Sequence, residues 1–212
     1  MNKNWQTVLV LAPHTDDGEF GCGGTIARFL AEGKTVYYVA FSTAEKSVPE
    51  GLPKNILEVE VREATKRLGI PPENLIIYKY EVRKLNYIRQ EILEELVKIR
   101  GRLNPDLVFI PSPHDLHQDH QTVATEGIRA FKQVSIVGYE LPWNNITFHT
   151  QMFIKLNESH IATKLSALKA YESQKHRPYS TEDFIRGWAK TRGTQIGAEY
   201  AETFEVIRWV FD

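Results

Sequence analysis

An α/β fold with a mostly parallel central sheet is predicted by three observations in this 212-residue chain. Apolar, β-branched runs of strand length recur at residues 7–13, 34–42 and 106–112. They lack the alternation of a half-solvated strand, as expected of strands covered on both faces. Segments of helical period lie between them, and strands alternating with helices imply βαβ units with right-handed crossovers. The predicted architecture is a three-layer, Rossmann-like sandwich. No repeat, low-complexity tract or linker divides the chain, so residues 1–212 are read as one domain.

The first strand is stopped by Pro13, which favours an extended residue before it. A polar loop with His14, Asp16 and Asp17 follows. The run Gly21-Cys22-Gly23-Gly24-Thr25 then opens a helix striped by Ile26, Ala27, Phe29 and Leu30, which Gly33 closes. Residues 34–42 form a second buried strand and 43–55 a loop rich in Pro, Gly and Ser. A helix over 56–68 ends at Gly69, residues 75–80 read as strand, and 86–103 is a long helix carrying Ile92, Leu96 and Ile99. The strand at 106–112 runs into a second polar loop, His114-Asp115-Leu116-His117-Gln118-Asp119-His120, and a helix to about Phe131. Strands are expected at 135–141 and 147–156, helices at 158–174 and 181–190, and a terminal strand at 203–211.

At this length a chain buries roughly 70% of its unfolded surface, and 42% apolar with 25% charged residues is ordinary globular composition. A net charge of −1 carries no basic excess, which argues against nucleic acid or an anionic membrane surface as partner. No apolar run approaches 18 residues, so no membrane span is expected. One cysteine and no signal-peptide core at residues 1–7 fit a cytoplasmic protein. A small-molecule partner is the expectation that remains.

Both polar loops follow strands, and a parallel sheet places such loops on the same edge, where open α/β sheets bind ligands. His14, Asp16 and Asp17 can thus face His117, Asp119 and His120. Catalytic zinc takes three ligands of the histidine and carboxylate kinds and keeps one position for water. Zinc is therefore the expected ion, with another divalent transition metal such as iron or cobalt also suited to these donors. His14 and Asp17, three apart, can reach one ion, whereas adjacent Asp16 and Asp17 diverge. One of the two is left as general base for water acidified by the ion. Singly, either aspartate reads as a helix cap and His120 as a satisfied histidine at a helix start. Their joint occurrence in two short loops outweighs those readings.

Pro13-His14-Thr15-Asp16-Asp17 and Gly21-Cys22-Gly23-Gly24-Thr25, joined to His117-Gln118-Asp119-His120, resemble the PIG-L/LmbE-like family of zinc-dependent N-acetylglucosaminyl deacetylases. Tyr171-Glu172-Ser173-Gln174 and Arg192-Gly193 with Tyr200-Ala201-Glu202-Thr203-Phe204 extend the resemblance over nearly the whole chain. The resemblance implies metal ligation by His14, Asp17 and His120, with Asp16 as general base. His117 would stabilise or protonate the intermediate, and Asp119 would fix the His117 tautomer. The implied reaction is hydrolysis of the acetamide of an N-acetyl amino sugar conjugate by metal-activated water. Thr15 and Gln118 replace common prolines and Gly18 a common Glu, none of them a ligand. The family's substrate arginine has no clear match: Arg62 is the nearest candidate and Arg192, beside Gly193, the better one. Some relatives are oligomers, so a homo-oligomer is compatible with the resemblance.

Two other classes compete. The pattern Gly21-x-Gly23-Gly24, with Glu45 about 20 residues on, hints at dinucleotide binding, although the spacing departs from G-x-G-x-x-G and His14 to Phe20 intervene. A non-catalytic metal-binding module is the other. Trp143, Phe148, Tyr179 and Trp188 could line a sugar site, with core packing the commoner use of such residues. Cys22 reads as a small packed residue.

Overall fold

Residues 7–13 do become a buried strand, in a sheet of seven. The computed structural model describes residues 5–211. In order it contains β1 (Thr7–His14), α1 (Asp17–Ala31), β2 (Thr35–Ser42), α2 (Ile56–Leu68), β3 (Leu75–Ile77), α3 (Arg89–Leu103) and β4 (Leu107–Pro111). These are followed by α4 (Gln118–Ala130), β5 (Ser135–Tyr139), β6 (Met152–Leu156), α5 (Glu158–Leu168), α6 (Glu182–Thr194) and β7 (Tyr200–Arg208). Strand order is β3-β2-β1-β4-β5-β7-β6, parallel from β3 through β5, with β7 antiparallel to both its neighbours.

Period-two alternation along β1 feeds two cores. Val8, Val10 and Ala12 pack with α1, α2, α5 and α6 on one face, and Leu9 and Leu11 pack with α3 and α4 on the other. The three layers follow from strands that carry no polar face. Among the described residues no helix is long and apolar enough to cross a membrane.

Several boundaries differ from expectation, among them the start of β6 at Met152 and the span of β7 over Tyr200–Arg208. Helix α1 starts at Asp17, and Cys22 (φ −146°, ψ 22°) splits it into one tight turn and the glycine-opened helix proper. That turn lies against Tyr38, whose ring would sit 2.5 Å from a Cβ at Gly18. A glutamate there is therefore sterically excluded. Helix α5 ends at Leu168 and gives way to short 3-10 turns, where the buried Glu60 carboxylate takes both the backbone N–H (2.9 Å) and the hydroxyl (2.6 Å) of Ser173. Strand β3 is only three residues long.

Candidate metal centre

Strand order reverses between β1 and β4, and the two polar loops leave the carboxyl ends of these adjacent strands. Such a switch point opens a crevice. His14 ends β1, Asp17 begins α1, and His117 caps the N-terminus of α4, on whose first turn Asp119 and His120 lie.

His14 Nδ1, Asp17 Oδ2 and His120 Nε2 form a triangle with all three sides 3.2 Å. Bonds of about 2.0–2.1 Å at tetrahedral angles place donors about 3.3–3.4 Å apart, so this donor set fits one zinc-like ion. The outer ring nitrogens are fixed as well. His14 Nε2 meets Asp119 Oδ2 at 3.0 Å, and His120 Nδ1 meets Asp115 Oδ2 at 2.8 Å. Each carboxylate draws the ring proton outward and leaves the inner nitrogen as a lone pair. Burial opposes charge on both imidazoles. Asp119 and Asp17 nevertheless raise His14 to about 9, and Asp17 with Asp115 raises His120 to about 10. Burial also works against the Asp17 carboxylate, but His120 and His14 hold it far below the usual range. The carboxylates demand positive charge at this point. His117 also has a nitrogen within 4.8 Å of His14 and His120. Its Nδ1 accepts the Asp119 N–H at 3.1 Å, and the His14–Asp17–His120 set is the tighter one.

Asp16 precedes α1 but makes no side-chain cap bond. Its half-buried carboxylate instead lines a cleft of about 300 Å³ together with His14, Asp17, His117 and His120. Burial, then the neighbouring Asp17, push it up to about 6. His117 lines the same cleft, and burial followed by the charges of His14 and His120 lowers it to about 4. A neutral ring whose Nδ1 accepts must carry its proton on Nε2. Trp143 and Tyr179, stacked with centroids 3.8 Å apart, and Phe20, edge-on to both, form an aromatic wall. Trp188 is turned away, its indole N–H given to Glu140 at 2.9 Å, and Phe148 is not part of the cleft wall.

Beneath Asp16 the buried Glu19 contacts the hydroxyls of Tyr38 and Tyr171, and both hydroxyls also reach Thr15 O. Two phenolic protons cannot fill four such contacts, whereas a protonated carboxyl supplies a third. Burial accordingly lifts Glu19 to about 8 against the pull of the tyrosine hydrogen bonds. A carboxyl raised on folding binds its proton more tightly in the native state, so this group costs stability as pH rises from its unfolded value towards 8. Glu19→Gln should therefore flatten the decline of stability between about pH 5 and 8, a difference of up to about 1.4 kcal/mol per pH unit from wild type. Thermal unfolding of both proteins across that range, in the same metal state, checks it.

Other expected site residues lie elsewhere. Arg62 is exposed on α2 and paired with Glu58 at 2.9 Å. Arg192 makes a forked ion pair with Glu140 and lines a separate shallow groove beside Trp188. Neither guanidinium lines the cleft. Asp119 meets His117 through its backbone N–H and not through its side chain. Its carboxylate is occupied by His14 and the N–H groups of Arg83 and Leu85. The arginine that does line the cleft is Arg177, which like Asp115 is outside the expected site set. Asp115 stood in the same histidine-rich loop, five residues before His120, which was an available signal. The glycine run holds no pyrophosphate cradle, because the Glu202 carboxylate takes the N–H groups of Gly24 (3.0 Å) and Thr25 (2.7 Å). Cys22 is buried and its thiol pushed well up by burial, consistent with a packing role.

The family model for PIG-L, the GlcNAc-PI de-N-acetylases, matches residues 9–131. The uncharacterized deacetylase YaiS of Escherichia coli is 28% identical over 171 residues, 78% of this chain and 90% of its own. Diacetylchitobiose deacetylase from Thermococcus kodakarensis is 25% identical over 229 residues, spanning 96% of this chain and 84% of the relative. The solved structure of N,N'-diacetylchitobiose deacetylase from Pyrococcus horikoshii superposes with a TM-score of 0.82 at 26% identity, covering 96% of this chain and 84% of that one.

Proposed function

This chain belongs to the PIG-L, or GlcNAc-PI de-N-acetylase, family, and on that premise we propose that it removes the acetyl group from an N-acetylglucosamine-containing small molecule or glycoconjugate. Relatives that carry a deacetylase name support hydrolysis of an amide. The observation that carries the reading is the 3.2 Å triangle of His14, Asp17 and His120 with the uncapped Asp16 carboxylate beside it.

A divalent ion held by those three side chains, zinc by its donor types, would supply Lewis acidity and acidify water. Asp16, titrating near neutrality, takes the proton of the water that adds to the acetamide carbon. His117 presents Nε2–H to the acetamide oxygen as negative charge develops on it. Its lowered basicity makes it a hydrogen-bond donor and a poor proton store. Asp16 therefore returns the proton to nitrogen as the C–N bond breaks, giving acetate and a free amine. Trp143 and Tyr179 offer flat faces to the C–H surface of a pyranose.

Release of free amine from N-acetylglucosamine, N,N'-diacetylchitobiose and other N-acetylglucosamine conjugates, with and without chelator, tests the proposal. Chelator-sensitive release from at least one is the expected result, and no release across the panel overturns it. Asp115→Ala should weaken ion binding by about 10–100-fold, the usual worth of a carboxylate that orients a ligating histidine. Competition with a chromophoric chelator measures that loss.

A further inference from the structure

We infer that Glu205, His114 and His149 form a second site for a divalent transition ion, separate from the His14–Asp17–His120 triangle. The three residues offer ligand atoms all within 4.8 Å of one another. Glu205 lies on β7 and is only 2% exposed. Its Oε2 accepts the Ser112 hydroxyl at 2.5 Å and its Oε1 accepts the His149 N–H at 2.9 Å. Neither group brings a positive charge, and among the described residues no lysine or arginine is paired with this carboxylate. A buried carboxylate without a counter-charge is costly.

Two imidazoles face it from the solvent side. His114 Nε2 stands 3.9 Å from Glu205 Oε1, and the His114 and His149 rings meet edge to face at 5.5 Å. His114 is half exposed, so its ring can close the remaining distance without disturbing packing. Two imidazoles and one carboxylate with an open outer position are the donor set of zinc, cobalt or nickel and ill suited to magnesium or calcium. The hydrogen bonds already on both carboxylate oxygens would orient it as outer contacts orient ligands elsewhere.

The placement gives the ion a task. His114 sits beside Asp115, which holds His120, and His149 ends the β5–β6 connection that carries Trp143 and Asn144 into the cleft wall. Those two segments already touch, through Leu116 N–H to Asn144 O at 3.2 Å. An ion at this position fastens both cleft loops to β7.

Equilibrium dialysis against Zn²⁺ with metal analysis tests the inference on wild type, His149→Ala, His14→Ala and the double variant. Wild type should hold two ions, each single variant one and the double variant none. Added Zn²⁺ should also raise the Tm of His14→Ala and leave that of the double variant unchanged. Because the second site is read in His14→Ala, the outcome does not depend on turnover. His14→Ala holding no ion, or His149→Ala holding as many as wild type, overturns the inference.

Discussion

Asp16→Asn should leave the fold and the ion in place yet lower kcat by about 10²–10⁴-fold, the range that a positioned general base supplies. The amide keeps the size of the carboxylate and cannot accept the water's proton. Asp16 makes no cap bond, so α1 loses nothing by the exchange. Removing a half-buried charge beside Asp17 relieves both the burial cost and the repulsion that raise Asp16, so stability should hold or improve. Wild-type kcat/KM should fall as pH drops through about 6, because the base must be ionised. An ion on the Asp17 oxygen would neutralise that neighbour and move this limb lower. The limb should vanish in the variant. Metal analysis beside steady-state kinetics makes the test, and a variant that keeps wild-type kcat removes Asp16 from the chemistry.

The second large effect is expected for Asp17→Ala. This one oxygen lies 3.2 Å from both inner imidazole nitrogens and also accepts the His14 backbone N–H at 2.8 Å. Deleting it opens the triangle, so the protein should come out metal-free with turnover reduced by more than about 10³-fold, since Lewis-acid assistance amounts to several kcal/mol. The orphaned N–H adds a stability loss of about 1–3 kcal/mol. Each imidazole also loses one of the two carboxylates that raise it, so their basicity should fall while Asp119 and Asp115 stay in place. Metal content, residual kcat and histidine NMR titration of the metal-free protein read the three consequences. Retention of the ion would assign ligation to His117 instead.

Much of this was legible in the chain because both segments are short and local. A β-branched run stopped by Pro13 needs no tertiary knowledge to become β1, and two strands in one parallel sheet must deliver their following loops to one edge. Spacing and residue type could therefore bring His14, Asp16 and Asp17 opposite His117, Asp119 and His120, and the family resemblance picked His14, Asp17 and His120 out of that set as ligands. The partners of Asp119 could not, because its carboxylate is filled by Arg83 and Leu85, 36 and 34 residues away, through a loop path that no periodicity encodes. Arg192 is a similar case: its motif is local, but its guanidinium pairs with Glu140, 52 residues distant, beside a separate groove. Arg177 reaches the cleft from the connection between α5 and α6, where it precedes the 3-10 turn Pro178–Ser180 and no motif marks it. The buried Glu60 that holds Ser173, five residues past the end of α5, is itself 113 residues away in sequence.

The two strands that deliver the donors are neighbours in the sheet, yet Leu9 and its partner Val108 are almost one hundred positions apart along the chain. A collapsed but unpaired polypeptide consequently holds no preassembled chelate, and capture of the ion must follow closure of that long loop. Refolding followed by metal uptake would therefore time the joining of the two halves of the sheet, and backbone amides flanking this seam should rank among the slowest to exchange with deuterium.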